Sequence, residues 1–379
     1  MQEVVMASGR CAIALVAFAA LCAPALGEQR LPELGGRMSC STALARDETQ
    51  PVRLEVTRVP LQGVNPARTT IGALNLVGGF HLSSAEKGFG GLSGLDVLED
   101  GDLLAVTDAG EFVWIALDAD GVTPVAARMA DMRDMEDRSI RSKTLGDAEG
   151  LAVADGVALV SFEGEHRILA FDIAECGAGA KGVPIVSSGD LAEAFARQGL
   201  SVGGNAGLEA LAVAPDGFLL AGLETRAGEA SAVSASALEA PPVFDIRMGE
   251  GAPPLVGMDI LATEDDSTGF TLYSLHRATR ALASEVIVIL ETRFERDVDQ
   301  SGLPARIVSE ADERARTRFR PTVSRKLAAM NVFVTIDNFE GIAARRLPDG
   351  RVRLYLIADD NFSASQRTLL MVYDVVAPR

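Results

Sequence analysis

Five short stretches of the chain place an acid, or once a serine, at the same point of a repeated apolar phrase. They are Gly91-Leu92-Ser93-Gly94-Leu95-Asp96-Val97, Asp147-Ala148-Glu149-Gly150-Leu151-Ala152-Val153, Gly207-Leu208-Glu209-Ala210-Leu211-Ala212-Val213, the looser Met258-Asp259-Ile260-Leu261-Ala262, and Asn338-Phe339-Glu340-Gly341-Ile342-Ala343-Ala344. Aligned on that phrase, Ser93, Glu149, Glu209, Asp259 and Glu340 form one polar column. A second column, Asp108, Glu163, Glu224, His276 and Asp359, stands at the end of the next apolar run. Carboxylates gathered at one point repel unless some are protonated or a cation lies among them. Oxygen ligands without His or Cys favour a hard cation, Ca2+ rather than zinc. On this reading Glu149, Glu209, Glu340 and Asp359 hold the metal. For any one of them alone, a turn cap or a pair with a nearby arginine is the plainer alternative.

Elements must bring these columns together, and the turns between them say which. Glu99-Asp100-Gly101, Ala154-Asp155-Gly156, Pro215-Asp216-Gly217 and Pro348-Asp349-Gly350 follow four of the five phrases. Asp-Gly between apolar runs is a hairpin cue, because glycine supplies the positive φ such a turn demands. Second runs follow at Leu103–Thr107, Val157–Phe162, Phe218–Leu223, Phe270–Leu275 and Val352–Ala358. Each unit therefore reads as strand, tight turn, strand. Further strand candidates are Phe112–Leu117, Ile168–Ile173 and Glu285–Leu290. A period of roughly 50–60 residues built of short strands marks an all-β fold, the β-propeller. Five repeats are recognisable, with room for a degenerate sixth blade around Ile71–Leu82. Helical patterns are confined to Asp190–Gln198, capped by Ser188 and ended by Gly199, and to Glu310–Arg318. The terminal strands Val52–Thr57 and Leu369–Val375 are expected to share one blade and close the ring without exposed edges.

Composition excludes several classes. Of 379 residues, 48% are hydrophobic and 23% charged, which suits a globular chain with a sizeable core. Net charge is −18, from 53 acidic against 35 basic residues, whereas nucleic-acid binding calls for a basic footprint. No nucleic-acid partner is expected. Gly91-Leu92-Ser93-Gly94-Leu95 looks like a hydrolase elbow but lacks the final glycine. With only His81, His166 and His276 available, a Ser-His-Asp triad finds little support. No phosphate-cradling loop, dinucleotide fingerprint or metalloprotease helix is present.

The N-terminus reads as an address. Arg10, the apolar run Cys11–Ala23 and the exit Ala25-Leu26-Gly27 match a secretory signal cleaved after Gly27. The run is too short for a span, which needs about 20 apolar residues. The expected organisation is a signal peptide over 1–27, an N-terminal extension over 28–50 and one propeller domain over 51–379, in a periplasmic or secreted protein without a membrane span. After cleavage only Cys40 and Cys176 remain. In an oxidising compartment they form one disulfide, or else stay as two buried thiols.

The chain resembles secreted bacterial proteins of the "esterase-like activity of phytase" family. The resemblance is carried by Phe89-Gly90-Gly91-Leu92-Ser93-Gly94-Leu95, by Asp147-Ala148-Glu149-Gly150-Leu151 with Ser161-Phe162-Glu163 and His166-Arg167-Ile168, and by Gly207-Leu208-Glu209-Ala210-Leu211. Asp337-Asn338-Phe339-Glu340-Gly341 and, most distinctively, Asp359-Asp360-Asn361-Phe362-Ser363 with Gln366-Arg367-Thr368-Leu369-Leu370 complete it. It runs from about residue 70 to the C-terminus. It implies a propeller and hydrolysis of an ester or phosphoester. The weakest match is Met258–Arg277, where His276-Arg277 stands in place of an expected Glu-Arg.

Two functions fit. One is a Ca2+-dependent hydrolase of phosphate or carboxylate esters at the propeller mouth. In it Glu163 or Asp337 serves as general base, and Arg367 neutralises an anionic small-molecule substrate. The other is a non-catalytic exported propeller that binds a ligand or protein partner, its acids holding structural Ca2+.

Overall fold

Asp155 and Gly156 carry φ of 49° and 76°, the two positive values of the tightest hairpin turn, and join Ala148–Ala154 to Val157–Phe162. Similar hairpins, with glycine at positive φ in the turn, join Leu92–Val97 to Leu103–Thr107, Leu208–Val213 to Phe218–Ala227 and Asn338–Arg346 to Val352–Asp359. The computed structural model describes residues 34 and 37–376, apart from 86–87, 142–144, 204–206, 215–216, 238–243, 264–268, 279–285 and 299–316. The signal-peptide expectation lies outside these residues.

The hairpins extend outward into five antiparallel sheets. Their first strands, Leu92–Val97, Ala148–Ala154, Leu208–Val213, Leu255–Ala262 and Asn338–Arg346, pack side by side in that order, and the fifth returns to the first. The fold is a five-bladed β-propeller with these strands around the axis. Apolar residues fill the spaces between neighbouring blades, among them the fully buried Phe112, Phe171, Phe218, Phe270 and Phe339.

Ring closure is more elaborate than expected. In the fifth blade the C-terminal strand Leu369–Val375 pairs directly with Leu74–Ser83, and Glu55–Arg58 lies outside that strand. The region proposed as a sixth blade is thus the fourth strand of the fifth. Gln50–Val52 instead extends the outer edge of the first blade. The helix spans Ser188–Ala196, not Asp190–Gln198, and its cap is Ser187. The Asp190 carboxylate accepts from the Ser187 amide while the Asp190 amide donates to Ser187 Oγ, a capping box that only this register allows. Of the second helix expected, Glu310–Arg318, all but the last two residues fall outside the described ones, and those two open the strand Thr317–Met330. Cys40 and Cys176 form a disulfide.

Candidate metal centre

Each axial strand carries a bulge near its start, and the bulge aims the acids. Pairing skips one residue between Leu208 and Ala210, Leu255 and Gly257, and Phe339 and Gly341. The skipped residues are Glu209, Val256 and Glu340. Similar shifts in the first two blades involve Ser93 and Glu149. A bulged residue is released from the ladder and its side chain re-aimed. In four of the five strands a glycine follows (Ala210 in the third) and lets adjacent strands touch. A Cβ on Gly94 would lie 2.6 Å from the Glu149 carbonyl oxygen, and one on Gly341 would lie 2.8 Å from that of Ser93. Below the bulges the axis is filled by Leu95, Leu151, Leu211, Met258 and Ile342, leaving a cavity of about 10 Å³. The acids therefore sit at a closed mouth, not along a channel.

This register corrects both columns at the fourth blade. Val256, not Asp259, stands at the bulge. Asp259 instead matches Asp96 three residues further along its strand. In the second column the amides of Asp108, Glu163 and Glu224 donate to Gly91, Asp147 and Gly207, and in the fourth blade the Arg277 amide donates to Pro254. Arg277 therefore takes the place given to His276. The imidazole of His276 is sealed inside, with Nδ1 3.0 Å from the Pro253 carbonyl and Nε2 2.9 Å from Ser274 Oγ. The carbonyl can only accept, so Nδ1 carries the proton and Nε2 accepts from the serine. Burial pushes this histidine down to about 4. Both side chains are wholly buried, so the Ser274–His276 pair cannot meet a substrate.

Arg277 reaches into the ring of acids. Its Nη2 donates to Glu340 Oε1 at 2.9 Å and lies 4.0 Å from Glu224 Oε1, while Nη1 donates to Asn338 Oδ1. Asn338 Nδ2 also donates to Glu340 at 2.8 Å. Burial nevertheless raises Glu340 to about 8, against the opposing pull of Arg277. Glu149 and Glu209 are pushed well above the usual carboxylate range, first by burial and then by the neighbouring acids, Glu209 and Glu340 for the one and Glu340 and Glu224 for the other. The structure thus brings Glu149, Glu209 and Glu340 to one mouth, with Asp359 adding to the negative field at Glu340.

The tightest grouping is Asp147, Glu149 and Glu163, each offering an oxygen within 4.8 Å of the others. Two oxygens bound at about 2.4 Å to one Ca2+ lie at most about 4.8 Å apart, so the three can share an ion. Ser93 Oγ, at the first blade's bulge, is buried without a hydrogen-bond partner among the described residues. An all-oxygen set fits a hard cation, and the orphaned hydroxyl belongs to the axial strand packed against that of Glu149. Asp147 was missed as a ligand in the sequence, although the hairpin pairing that sets Glu163 beside it was implicit there.

The most distinctive motif proves to be a brace. Asp360 Oδ1 accepts from the Gly91 and Phe362 amides at 2.9 and 3.0 Å, and its Oδ2 accepts from Thr368 Oγ1 at 2.9 Å. Asn361 and Phe362 both take φ of 48°, a strained pair for non-glycine residues. Asp337 is engaged on both oxygens, by Arg367 Nε at 3.1 Å and by the Asn338 amide at 3.2 Å.

Residues 87–362 match the phytase-like family described as esterase-like activity of phytase. The chain belongs to that family. The matched span holds every axial strand and all the acids named above; the strands that close the fifth blade lie largely outside it. No curated protein matches the chain. Among solved structures it is similar to the PQQ-bound aldose sugar dehydrogenase of Streptomyces coelicolor, at 11% identity over 86% of this chain and 99% of that one, with a TM-score of 0.37. It is also similar to the intramolecular trans-sialidase of Ruminococcus gnavus (10% identity, 86% and 77% covered, TM-score 0.36) and to the Dos1 propeller (8%, 81% and 76%, TM-score 0.32). Among the described residues no helix is long and apolar enough to cross a membrane.

Proposed function

We propose that this phytase-like propeller is an exported, Ca2+-dependent hydrolase of phosphate or carboxylate esters. The observation that carries the reading is the convergence of Asp147, Glu149 and Glu163 oxygens within 4.8 Å of one another. Those three acids hold the ion, and Glu209 borders them. A bound divalent cation supplies a Lewis acid and a water of lowered pKa. Three carboxylates leave part of a shell of 6–8 oxygens for solvent and substrate. Glu209, whose carboxyl burial pushes upward, is the group placed to give a proton to a leaving oxygen. Asp337, held on both oxygens, suits positioning Arg367 better than proton abstraction. Export is supported by the sequence of residues 1–27 and by the disulfide, which belongs to oxidising compartments.

One observation favours a second reading. Arg277 already neutralises part of the ring, as a purely structural, ligand-binding propeller would require. A panel of chromogenic phosphate and carboxylate esters, run with Ca2+ and with chelator, separates the two. The hydrolase shows turnover that chelation abolishes, and Glu163→Gln lowers kcat/KM by roughly 10–100-fold at limiting Ca2+, the loss typical of weakening a metal shell. Chelation that lowers the melting temperature, with no ester turned over under any condition, establishes the binder instead.

A further inference from the structure

Between the fourth and fifth blades, the loop at Gln62–Val64 faces Val332–Ile336 across a cavity of about 600 Å³. The second of these loops leads directly into the axial strand Asn338–Arg346, and Arg367 of the lining bonds Asp337 at its entry. Its volume lies within the range of small-molecule sites. Its frame is fixed. Thr335 donates its amide to Leu61 O at 2.8 Å and its hydroxyl to Pro60 O at 2.6 Å, and Gln62 Nε2 donates to Phe333 O at 3.2 Å.

Two properties of the lining define what it can take. Val64, Val332 and Phe333 present 91%, 58% and 75% of their surfaces to solvent, an unusual concentration of exposed apolar side chains in one place. Arg367 is the one charged residue of the lining. Its Nε and Nη2 are tied to Asp337 and to the Ile336 carbonyl, which orients the guanidinium, yet 43% of the side chain remains exposed. An oriented guanidinium recognises a carboxylate or phosphate through paired N–H donors. Asp337 already pairs with this cation, so its remaining N–H donors can take a single anionic group at most, and the carboxylate-rich mouth disfavours more.

We propose that this cavity binds a small anion with a single carboxylate or phosphate on Arg367 and an attached apolar chain or ring against Phe333, Val332 and Val64. That this anion is part of the hydrolysed substrate rests on the hydrolase reading; the binding itself does not. A polyanionic ester such as inositol hexakisphosphate is correspondingly a poor ligand.

Titration calorimetry on the full chain, in chelator, tests the site apart from any metal chemistry. The probes are octanoate, octyl phosphate, 1-octanol, inorganic phosphate and inositol hexakisphosphate. At least one of the two octyl anions is expected to bind tenfold or more tightly than 1-octanol, inorganic phosphate and the polyphosphate; which of them binds identifies the headgroup. Arg367→Gln should abolish the advantage over octanol, and Phe333→Ser should weaken whichever octyl anion binds at least fivefold with the melting temperature unchanged. Equal affinity for octanol and the anions, or unaltered affinity in both variants, overturns the assignment. So does a sedimentation profile in which Phe333→Ser converts a dimer to a monomer without affecting ligand binding, for the patch is then a contact with a second copy. Absence of ester turnover with these affinities intact overturns the hydrolase reading alone.

Discussion

Arg277 decides how the mouth is balanced. Four blades end their second strands at this level with Asp108, Glu163, Glu224 and Asp359, and the fourth blade alone contributes a cation. Its guanidinium lies across the fourth, fifth and third blades, holding Glu340 and approaching Glu224. The grouping fit to hold an ion falls in the second blade, away from this internal counter-charge. Removing Arg277 leaves Glu340 buried with only the Asn338 amide for company. Above about pH 8, where Glu340 is ionised, breaking a buried pair from one side typically costs about 3–5 kcal/mol. Arg277→Gln is therefore expected to lower unfolding free energy by about that much in chelator, measured by denaturant titration. In a Glu340→Gln background the same change should cost markedly less, because residues sharing a partner are not additive. Equal costs in both backgrounds would mean that Arg277 acts through some other contact.

At the scale of the strand, the repeated Glu-Gly or Ser-Gly step has a structural reason as well as a chemical one. The first residue is freed by the bulge, and the glycine admits the carbonyl of the neighbouring blade. Gly341 shows this most fully: an added Cβ would meet Ile357 Cγ2 at 2.5 Å, the Ser93 carbonyl at 2.8 Å and Leu95 Cβ at 2.9 Å. Gly341→Ala should destabilise by about 1–3 kcal/mol, the range for overpacking a filled interior. Thermal melts would show it, and an unchanged melting temperature would mean that the ring of axial strands is looser than described. The same step explains what could be read from the sequence. Hairpins were legible because Asp-Gly turns and apolar runs are local signals, and the second strands appear close to where they were expected. The fourth blade was misread because Asp259 imitates a bulge acid. It belongs with Asp96, since each carboxylate bonds the next amide of its own strand and one in the following blade, Val153 for Asp96 and Ala344 for Asp259. Telling a bulge acid from such a staple requires the cross-strand register, which one sequence does not print. The counter-ion Arg277 was hidden for the same reason, one residue beyond the histidine that seemed to fill its column.

For the whole molecule the question is how a ring of five similar sheets is kept shut. The described N-terminal residues run past three blades in turn. Ser41 donates its amide to Gly179 O, and Ala178 donates to Arg46 O, fastening this segment to the second blade beside the Cys40–Cys176 bond. Gln50–Val52 then joins the first blade, and Glu55–Arg58 and Leu74–Ser83 complete the fifth around the C-terminal strand. One covalent link therefore anchors a segment whose continuation closes the ring. The two cysteines are 136 residues apart, and a loop of that size constrains the unfolded chain strongly. In the chain-entropy treatment the link contributes about 5 kcal/mol. Surviving hydrogen bonds should let the reduced chain keep its β structure. Replacing both cysteines by serine should thus preserve the β-type circular dichroism while lowering the melting temperature, and thiol reductant should do the same to the native protein. The double variant itself must be indifferent to reductant, which controls for effects elsewhere. If native and variant proteins melt together, closure rests on the Leu74–Ser83 pairing with Leu369–Val375 alone, and the N-terminal segment is a passenger on the second blade.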